Sequence, residues 1–520
     1  MDRGSLEHRS SRPSVLELAL IAFLVLALGH ATYYLIVGLD NPLLDFFGFR
    51  QTQTAISAYW MMQGGPLLAY ETPVLGGPWA IPFEFPIFQW IVASLASLGV
   101  PLDAAGRLTS FAFFLACLWP ARLIFKDLGF DRAQFLVFAA LFLFSPLYVF
   151  WARTFMIESA ALFFGLLWLA LMLRFTLRGA WPTLAWAALA GSLGILTKST
   201  TFAVFGLLGA LAVAALFIRE LRFDSARRPS IDGKILVRCL AAGAVCVLVL
   251  VVGLAWVRYT DELKSANLIG SYLVSSSLTR FNYGPLALRW SADLWDTAIL
   301  KRALPEIFGP IFPLAFVAFG AALQSRKHAL FAGLALCAAI APMLLFSNLH
   351  RVHNYYQNAN AVFAIAAVAI GVGALMSANR RILAMLLFCG IVASQLWMFQ
   401  VYYRPVVAGD LTMRSRYVTG LAVKERTTPD HAILVFGNDW SSDIHYYAQR
   451  KGLAVPGWIA DDKLERVLAA PEEFLGGLEL GAIVACNLKL YGERRADQFA
   501  QFLADRAIVQ DLGACKIYSP

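Results

Sequence analysis

Charge is what this sequence has least of. Only 15% of its 520 residues are Asp, Glu, Lys or Arg, against about a quarter in a soluble domain. A water-facing surface needs charge and a bilayer-facing one excludes it. The deficit therefore argues against a soluble chain more strongly than the 59% apolar content does. Also lacking are a CxxC or Cys/His pattern at metal-ligand spacing, an internal repeat and a low-complexity segment. No cofactor is expected on these grounds, and a divalent metal is not indicated, although the residues leave one open. Cysteine is sparse, at seven residues. Cys117, Cys239, Cys246, Cys337 and Cys389 lie in apolar runs, where a free thiol acts as a small hydrophobe. Cys486 and Cys515 lie in a hydrophilic tail; they pair if the tail is in an oxidising compartment, and otherwise remain two buried thiols.

What the chain does have is a succession of apolar runs, with a mean hydropathy of +0.64. A span needs roughly 20 apolar residues. Eleven runs qualify, at about 15–38, 105–125, 133–151, 156–173, 181–197, 200–218, 236–257, 306–323, 329–347, 358–376 and 382–402. The first is too long for the apolar core of a signal peptide and stays as an anchor, its start held inside by Arg3, Arg9 and Arg12. A further run, 86–100, is short and lies between Pro86 and Pro101. If it does not cross, the clusters at Arg122/Lys126/Arg132, Arg174/Arg178, Arg219–Arg238, Arg326/Lys327 and Arg380/Arg381 all stay cytoplasmic. If it crosses, they all move outside. We therefore read 86–100 as interfacial or re-entrant. The net charge of +9 then reports topology rather than nucleic-acid binding.

This topology gives a transmembrane domain over 1–402, with external loops at 39–104, 258–305 and 347–358, and an external tail over 403–520, joined near Tyr403–Gly409. The tail has strand-like runs at Ile433–Phe436, Ala482–Ala485 and Lys516–Tyr518 with helical stretches between them, the pattern of a small α/β domain.

Polar residues that stand out are confined to the external side. Asp45 follows the first span closely, with Arg50 and Gln51 after it; a carboxylate at that depth is costly unless paired or functional. Glu84 lies between Phe83 and Phe85, as a site acid or as an interfacial carboxylate between aromatic anchors. Arg153 and Glu158 are spaced to face one site, or to cap two helices as a structural pair. Lys198, in a tight turn on a side where basic residues are rare, suits an anion at the membrane surface or a snorkelling anchor. His350, Arg351, His353, Tyr355 and Tyr356 form a cationic, aromatic turn that fits a phosphate or sugar better than a metal, since no carboxylate or cysteine stands nearby. In the tail, Gly437-Asn438-Asp439-Trp440 follows a strand, as a ligand loop or as a helix start capped by Asp439 or Ser441.

In order and sidedness these residues resemble the GT-C superfamily of integral-membrane glycosyltransferases. The resemblance is to bacterial members akin to protein O-mannosyltransferases and to lipid A aminoarabinose or galacturonic acid transferases (glycosyltransferase family 39-like), and it covers roughly 15–400. It rests on Asp45 with Phe49-Arg-Gln-Thr-Gln-Thr54, Glu84-Phe-Pro86, Arg153 with Glu158, the Lys198 turn and His353-Asn-Tyr-Tyr356. It implies a GT-C fold of about eleven transmembrane helices plus interfacial helices in a bacterial inner membrane, with the N-terminus cytoplasmic and a periplasmic C-terminal α/β domain. It also implies a polyprenyl-phosphate sugar as donor, an envelope acceptor, Asp45 as base and Glu158 as a second site acid. Many relatives have Lys-Pro-Pro where this chain has Glu84-Phe-Pro86, and that lysine is the one held to contact the lipid phosphate. Lys198, Arg153 and Arg351 are the substitutes available here. The competing readings are a polytopic transporter or flippase and an O-antigen ligase or polymerase-like enzyme.

Overall fold

A computed structural model describes residues 14–223 and 229–520. Arg3, Arg9, Arg12, Arg227 and Arg228 lie outside them. The chain is mainly helical, and all eleven expected runs are helical. Among the described residues, seven helices are long and apolar enough to cross a membrane, and an eighth is added if one bent pair counts as a span. The Arg132–Phe144, Trp181–Thr197 and Ala361–Ser377 helices are apolar but shorter. The Ile87–Ser97 helix has 11 residues. At 1.5 Å per residue it reaches about 17 Å, little more than half the ~30 Å apolar thickness of a bilayer.

Three expected boundaries move, each for a local reason. The run expected at 133–151 is broken at Ser145, because Pro146 disfavours a helical residue before it; a separate helix, Pro146–Trp151, follows. The helix expected over 236–257 runs from Gly233 to Ser265, so Arg258 and Asp261 are helical rather than in a loop. Asp293–Phe308 and Pro313–Ala322 form one pair bent by 82°, so the span expected at 306–323 begins earlier and is interrupted at Gly309. A Cβ at Gly309 would stand 2.1 Å from the Ser394 carbonyl, so only glycine allows that close approach.

The basic loops do gather at one end of the bundle. Arg174 and Arg178 both pair with Asp127, at 2.9 and 2.5 Å. Lys327 donates to the Gly129 carbonyl, and Arg238 to those of Phe175 and Thr176. The candidate site residues lie at the opposite end.

A small antiparallel pair, β1 (Arg222–Phe223) with β2 (Pro229–Ser230), precedes the long helix. The C-terminal sheet comprises β3 (His431–Phe436), β4 (Gly452–Ala454), β5 (Glu479–Ala485), β6 (Ile508–Asp511) and β7 (Lys516–Tyr518), in the order β4-β3-β5-β7-β6. Central β3 is an unbroken apolar run buried on both faces, as a parallel strand between two neighbours requires. Cys486, at the end of β5, and Cys515, at the start of β7, form a disulfide. Neither Asp439 nor Ser441 caps the next helix; Ser442 holds that position, and Asp439 is left-handed at φ 49°.

This domain is fastened to the bundle by contacts beyond the chain connection. The expected joint at Tyr403–Gly409 is helical through Val407. Edge strand β4 is covered by the first loop: Gly452 and Ala454 donate to the carbonyls of Pro73 and Val74, and Gly76 donates back to Gly452. Lys451 pairs with Glu71 at 2.6 Å.

The double variant Cys486→Ser/Cys515→Ser is expected to lose about 2–4 kcal/mol of C-terminal domain stability. Limited proteolysis under non-reducing conditions should cut this domain earlier than in the parent protein.

Candidate active site

The first loop turns inward after the Val15–Val37 helix and delivers Asp45 just ahead of the Gly48–Met62 helix. Arg153 Nη2 lies 2.7 Å from one Asp45 oxygen, and Arg107 Nη1 lies 3.8 Å from the same oxygen. All three side chains are at most 1% exposed. Gln51, in the first helical turn, donates to the other Asp45 oxygen, while its own carbonyl oxygen accepts from the Phe155 amide at 3.1 Å. Arg107 also donates to the Asn41 carbonyl at 2.9 Å. Burial, opposed by Asp45 and reinforced by Arg107, brings Arg153 down to about 10, so it stays cationic at neutral pH.

One residue earlier on the same helix, Arg50 points to a second cluster. It pairs with Glu84 and Gln53. Burial opposes the Arg50 charge, but Glu84, Tyr355 and Glu158 outweigh it and raise its affinity for the proton. The Glu84 segment is clamped. Tyr70 Oη accepts from the Phe83 amide and donates to the Glu84 carbonyl, and the Phe85 amide donates to Leu196 at the end of the Trp181–Thr197 helix. Lys198 occupies the extended break between that helix and Ser199–Glu220. Its ammonium meets Glu158 at 2.5 Å, with both side chains 4% exposed. Glu158 opens its own helix, where the helix dipole favours an acid. The Lys198 ammonium also lies 4.2 Å from the Tyr356 ring centre and 5.1 Å from that of Tyr355, within cation–π range. His353 stacks beside Tyr355 at 5.2 Å.

The fold thus brings together Arg50, Glu84, Glu158, Lys198, His353, Tyr355 and Tyr356, with Asp45, Gln51 and Arg153 one helical face away. Arg153 and Glu158 do not face one another; each pairs elsewhere. His350 is buried behind the cluster against Gln357, and Arg351 turns outward to Asp293 at 2.9 Å. Two site neighbours were missed in the sequence. Arg107 is hidden in an apolar run, and Glu306 opens one. Glu306 is 1% exposed and accepts from Asn354 at 3.0 Å, holding the turn that carries Tyr355. A lone charge in an apolar run is itself a functional signal that the span reading absorbed. Trp440, from the C-terminal domain, packs edge-on against Phe49 at 4.7 Å and beside Phe83, flanking the Arg50–Glu84 pair. Among the described residues no group of three or more His, Cys, Asp or Glu is placed to hold a metal ion.

The helical bundle with apolar spans and a small appended sheet is a fold shared with a solved membrane protein. Residues 66–264 match the family model described as dolichyl-phosphate-mannose-protein mannosyltransferase. Among solved structures, the chain is similar to ArnT from Cupriavidus metallidurans in the apo state, with 15% identity and a TM-score of 0.59. It is similar also to the same protein bound to undecaprenyl phosphate, with 15% identity and a TM-score of 0.62. Both alignments cover 96% of this chain and 98% of the other. No curated protein sequence matches significantly.

Burial lowers His350 to about 3 and His353 to about 4, with Lys198 and Arg50 assisting at His353. Both are neutral in the folded protein at pH 7. In the unfolded chain histidine takes up protons near about pH 6.5. Their contribution is therefore full above that pH and is lost as pH falls through about 4. The thermal midpoint should drop between pH 7 and pH 4.5, and His350→Gln/His353→Gln should show a shallower drop.

Proposed function

We propose that this protein transfers a glycosyl group from a polyprenyl-phosphate sugar to an envelope acceptor on the periplasmic side, with inversion. The observation that carries this is convergence. Ion pairs from segments far apart in the chain, Asp45–Arg153 on one face of the Gly48–Met62 helix and Arg50–Glu84 with Lys198–Glu158 on the next, gather at the end of an apolar bundle opposite the basic loops. The family match over 66–264 and the fold shared with ArnT, one of whose structures holds undecaprenyl phosphate, support the same reading.

Sugar nucleotides are cytoplasmic, so transfer on the far side needs a donor carried by the membrane. Its phosphate leaves as a stabilised anion and needs no strong general acid. What it needs is fixed positive charge where negative charge grows. Lys198 and Arg50 supply this from the cluster that holds Tyr355 and Tyr356; Arg351 turns out of that cluster to Asp293, and Arg153 lies on the Asp45 face. On approach of the phosphate, Lys198 exchanges part of its contact with Glu158 for the new anion, while Tyr355 and Tyr356 hold the ammonium in place. Asp45 takes the acceptor proton. Arg153, Arg107 and Gln51 fix its orientation. A glycosyl centre that develops oxocarbenium character before the nucleophile has lost its proton makes a modest demand on base strength. A single displacement inverts the anomeric carbon. The periplasmic assignment keeps the basic loops in the cytoplasm together with the N-terminus.

Asp45→Asn should reduce transfer at least about 100-fold when activity is normalised to folded, membrane-inserted protein, since the change also leaves Arg153 and Arg107 without their carboxylate. An active Asp45→Asn protein would remove Asp45 as base. Lys198→Ala should weaken donor binding by about 10–100-fold, the size of a lost charge-assisted hydrogen bond. Donor titration of purified protein in nanodiscs measures this, and an unchanged affinity would assign Lys198 a purely structural role. Mass spectrometry of envelope lipids and glycans from a deletion strain names the sugar and acceptor through whichever hexose, pentose or uronic acid is missing.

A further inference from the structure

A cavity of about 200 Å³ lies beside Asp45, on a side not used by the Lys198 cluster. Leu44, Asp45 and Gly48 line it from the first loop, and Arg414, Ser415 and Arg416 from the start of the Ser415–Arg426 helix. Its two walls are fixed to one another. Asn41 donates to the carbonyls of Val407 and Gly409, at 3.0 and 3.1 Å. The Leu43 amide donates to Tyr447 Oη at 2.6 Å.

Two guanidiniums, Arg414 and Arg416, line this cavity, and the one carboxylate that pairs with either of them among the described residues is Asp443, at Arg416. Arg416 is oriented by Asp443, a fully buried carboxylate 3.1 Å from its Nη1. Asn438 braces Asp443 from the loop after β3. Arg414 forms no ion pair among the described residues. Asp410, four positions before it, is turned onto the amide and hydroxyl of Thr412. An arginine with no ion pair beside one already oriented, on the wall of a cavity that Asp45 also lines, is an arrangement suited to receiving an anion.

We propose that this cavity is the acceptor subsite and that it takes an acceptor bearing a phosphate or carboxylate close to its reacting hydroxyl. Arg414 and Arg416 bind that anion and set the hydroxyl over Asp45. This rests on the functional reading above, but it assigns a substrate class and two specificity residues in the C-terminal domain. It also explains why that domain is clamped to the first loop rather than tethered: without it the cavity has one wall.

The test uses the full-length protein in nanodiscs, with inorganic phosphate as probe, followed by 31P line broadening. Polyprenyl phosphate binding is measured in parallel. Saturable phosphate binding is expected, weakened about 10-fold or more in Arg414→Ala/Arg416→Ala and largely retained in Arg414→Lys/Arg416→Lys. Polyprenyl phosphate binding should be unchanged in both. Phosphate binding that is absent in the parent protein, or indifferent to the alanine pair, would overturn the proposal. So would loss of polyprenyl phosphate binding in the alanine pair, which would give the cavity to the donor. If the parent protein fails to bind polyprenyl phosphate, the donor reading falls. The arginine dependence of inorganic phosphate binding then still decides for or against the anion subsite.

Discussion

A carboxylate shut away from water between two guanidiniums organises this end of the molecule. Asp45, Arg153 and Arg107 come from the first loop, the hinge at 152–157 and the Leu102–Ala116 helix. None of these charges is tolerable alone in such a place, because desolvation costs several kcal/mol per ion unless partners are present. Pairing therefore fixes the three segments relative to one another. The orientation of the Gly48–Met62 helix follows, since Gln51 bridges Asp45 to the Phe155 amide. Once Gln51 is committed to that face, Arg50 must emerge on the neighbouring one, where Glu84 meets it. One helical turn thus couples the acid side of the site to its cationic side.

The same economy of partners explains the C-terminal domain. Edge strand β4 would expose unpaired amides, and the first loop covers them. Asp103, on the bundle, takes hydrogen bonds from Tyr446 and Tyr447 of the domain. Asn267, beyond the long Gly233–Ser265 helix, donates to the carbonyls of Leu75, Gly76 and Pro78 and so holds the first loop from its other side. A loop gripped by the bundle, the domain and the long helix at once is a rigid support, and rigidity is what a site needs if reacting groups are to be held in line.

Much of this could be read from the chain, and the remainder fails for identifiable reasons. Scarcity of charge and runs of about 20 apolar residues gave the helical membrane architecture, because the bilayer imposes both. The brevity of Ile87–Ser97 was visible in its flanking prolines. Strands β3, β5 and β7 were legible as strand-like runs at Ile433–Phe436, Ala482–Ala485 and Lys516–Tyr518. β4 and β6 have three and four residues and owe their form to their neighbours, so no local signal marks them. At the site, the residues named from sequence are mostly those the fold gathers, but their partners are not. Arg153 and Glu158, five apart, looked like a pair, yet the chain makes a sharp hinge between them and sends each to a different cluster. Arg351 looked like a phosphate ligand because sequence cannot show Asp293 waiting for it. Arg107 and Glu306 were absorbed into spans by a hydropathy average that hides a single charge.

The two faces of the Gly48–Met62 helix bear on the stereochemistry of the proposed transfer. If a lipid-linked phosphate is drawn to Lys198 and Arg50, its glycosyl carbon presents its opposite side toward Gln51 and Asp45. An acceptor entering by the cavity at Arg414 reaches that carbon only from the Asp45 side. A covalent glycosyl-enzyme would require a free carboxylate on the far side from the phosphate. Asp45 is the acid proposed for that side, and its oxygens are already held by Arg153 and Gln51. A carboxylate so engaged is better suited to receive a proton from a hydroxyl in its outer coordination than to swing free and bond to carbon. Under the proposed roles of Asp45 and Lys198, such an arrangement of ion pairs fits one direct displacement better than two, and with it inversion rather than retention.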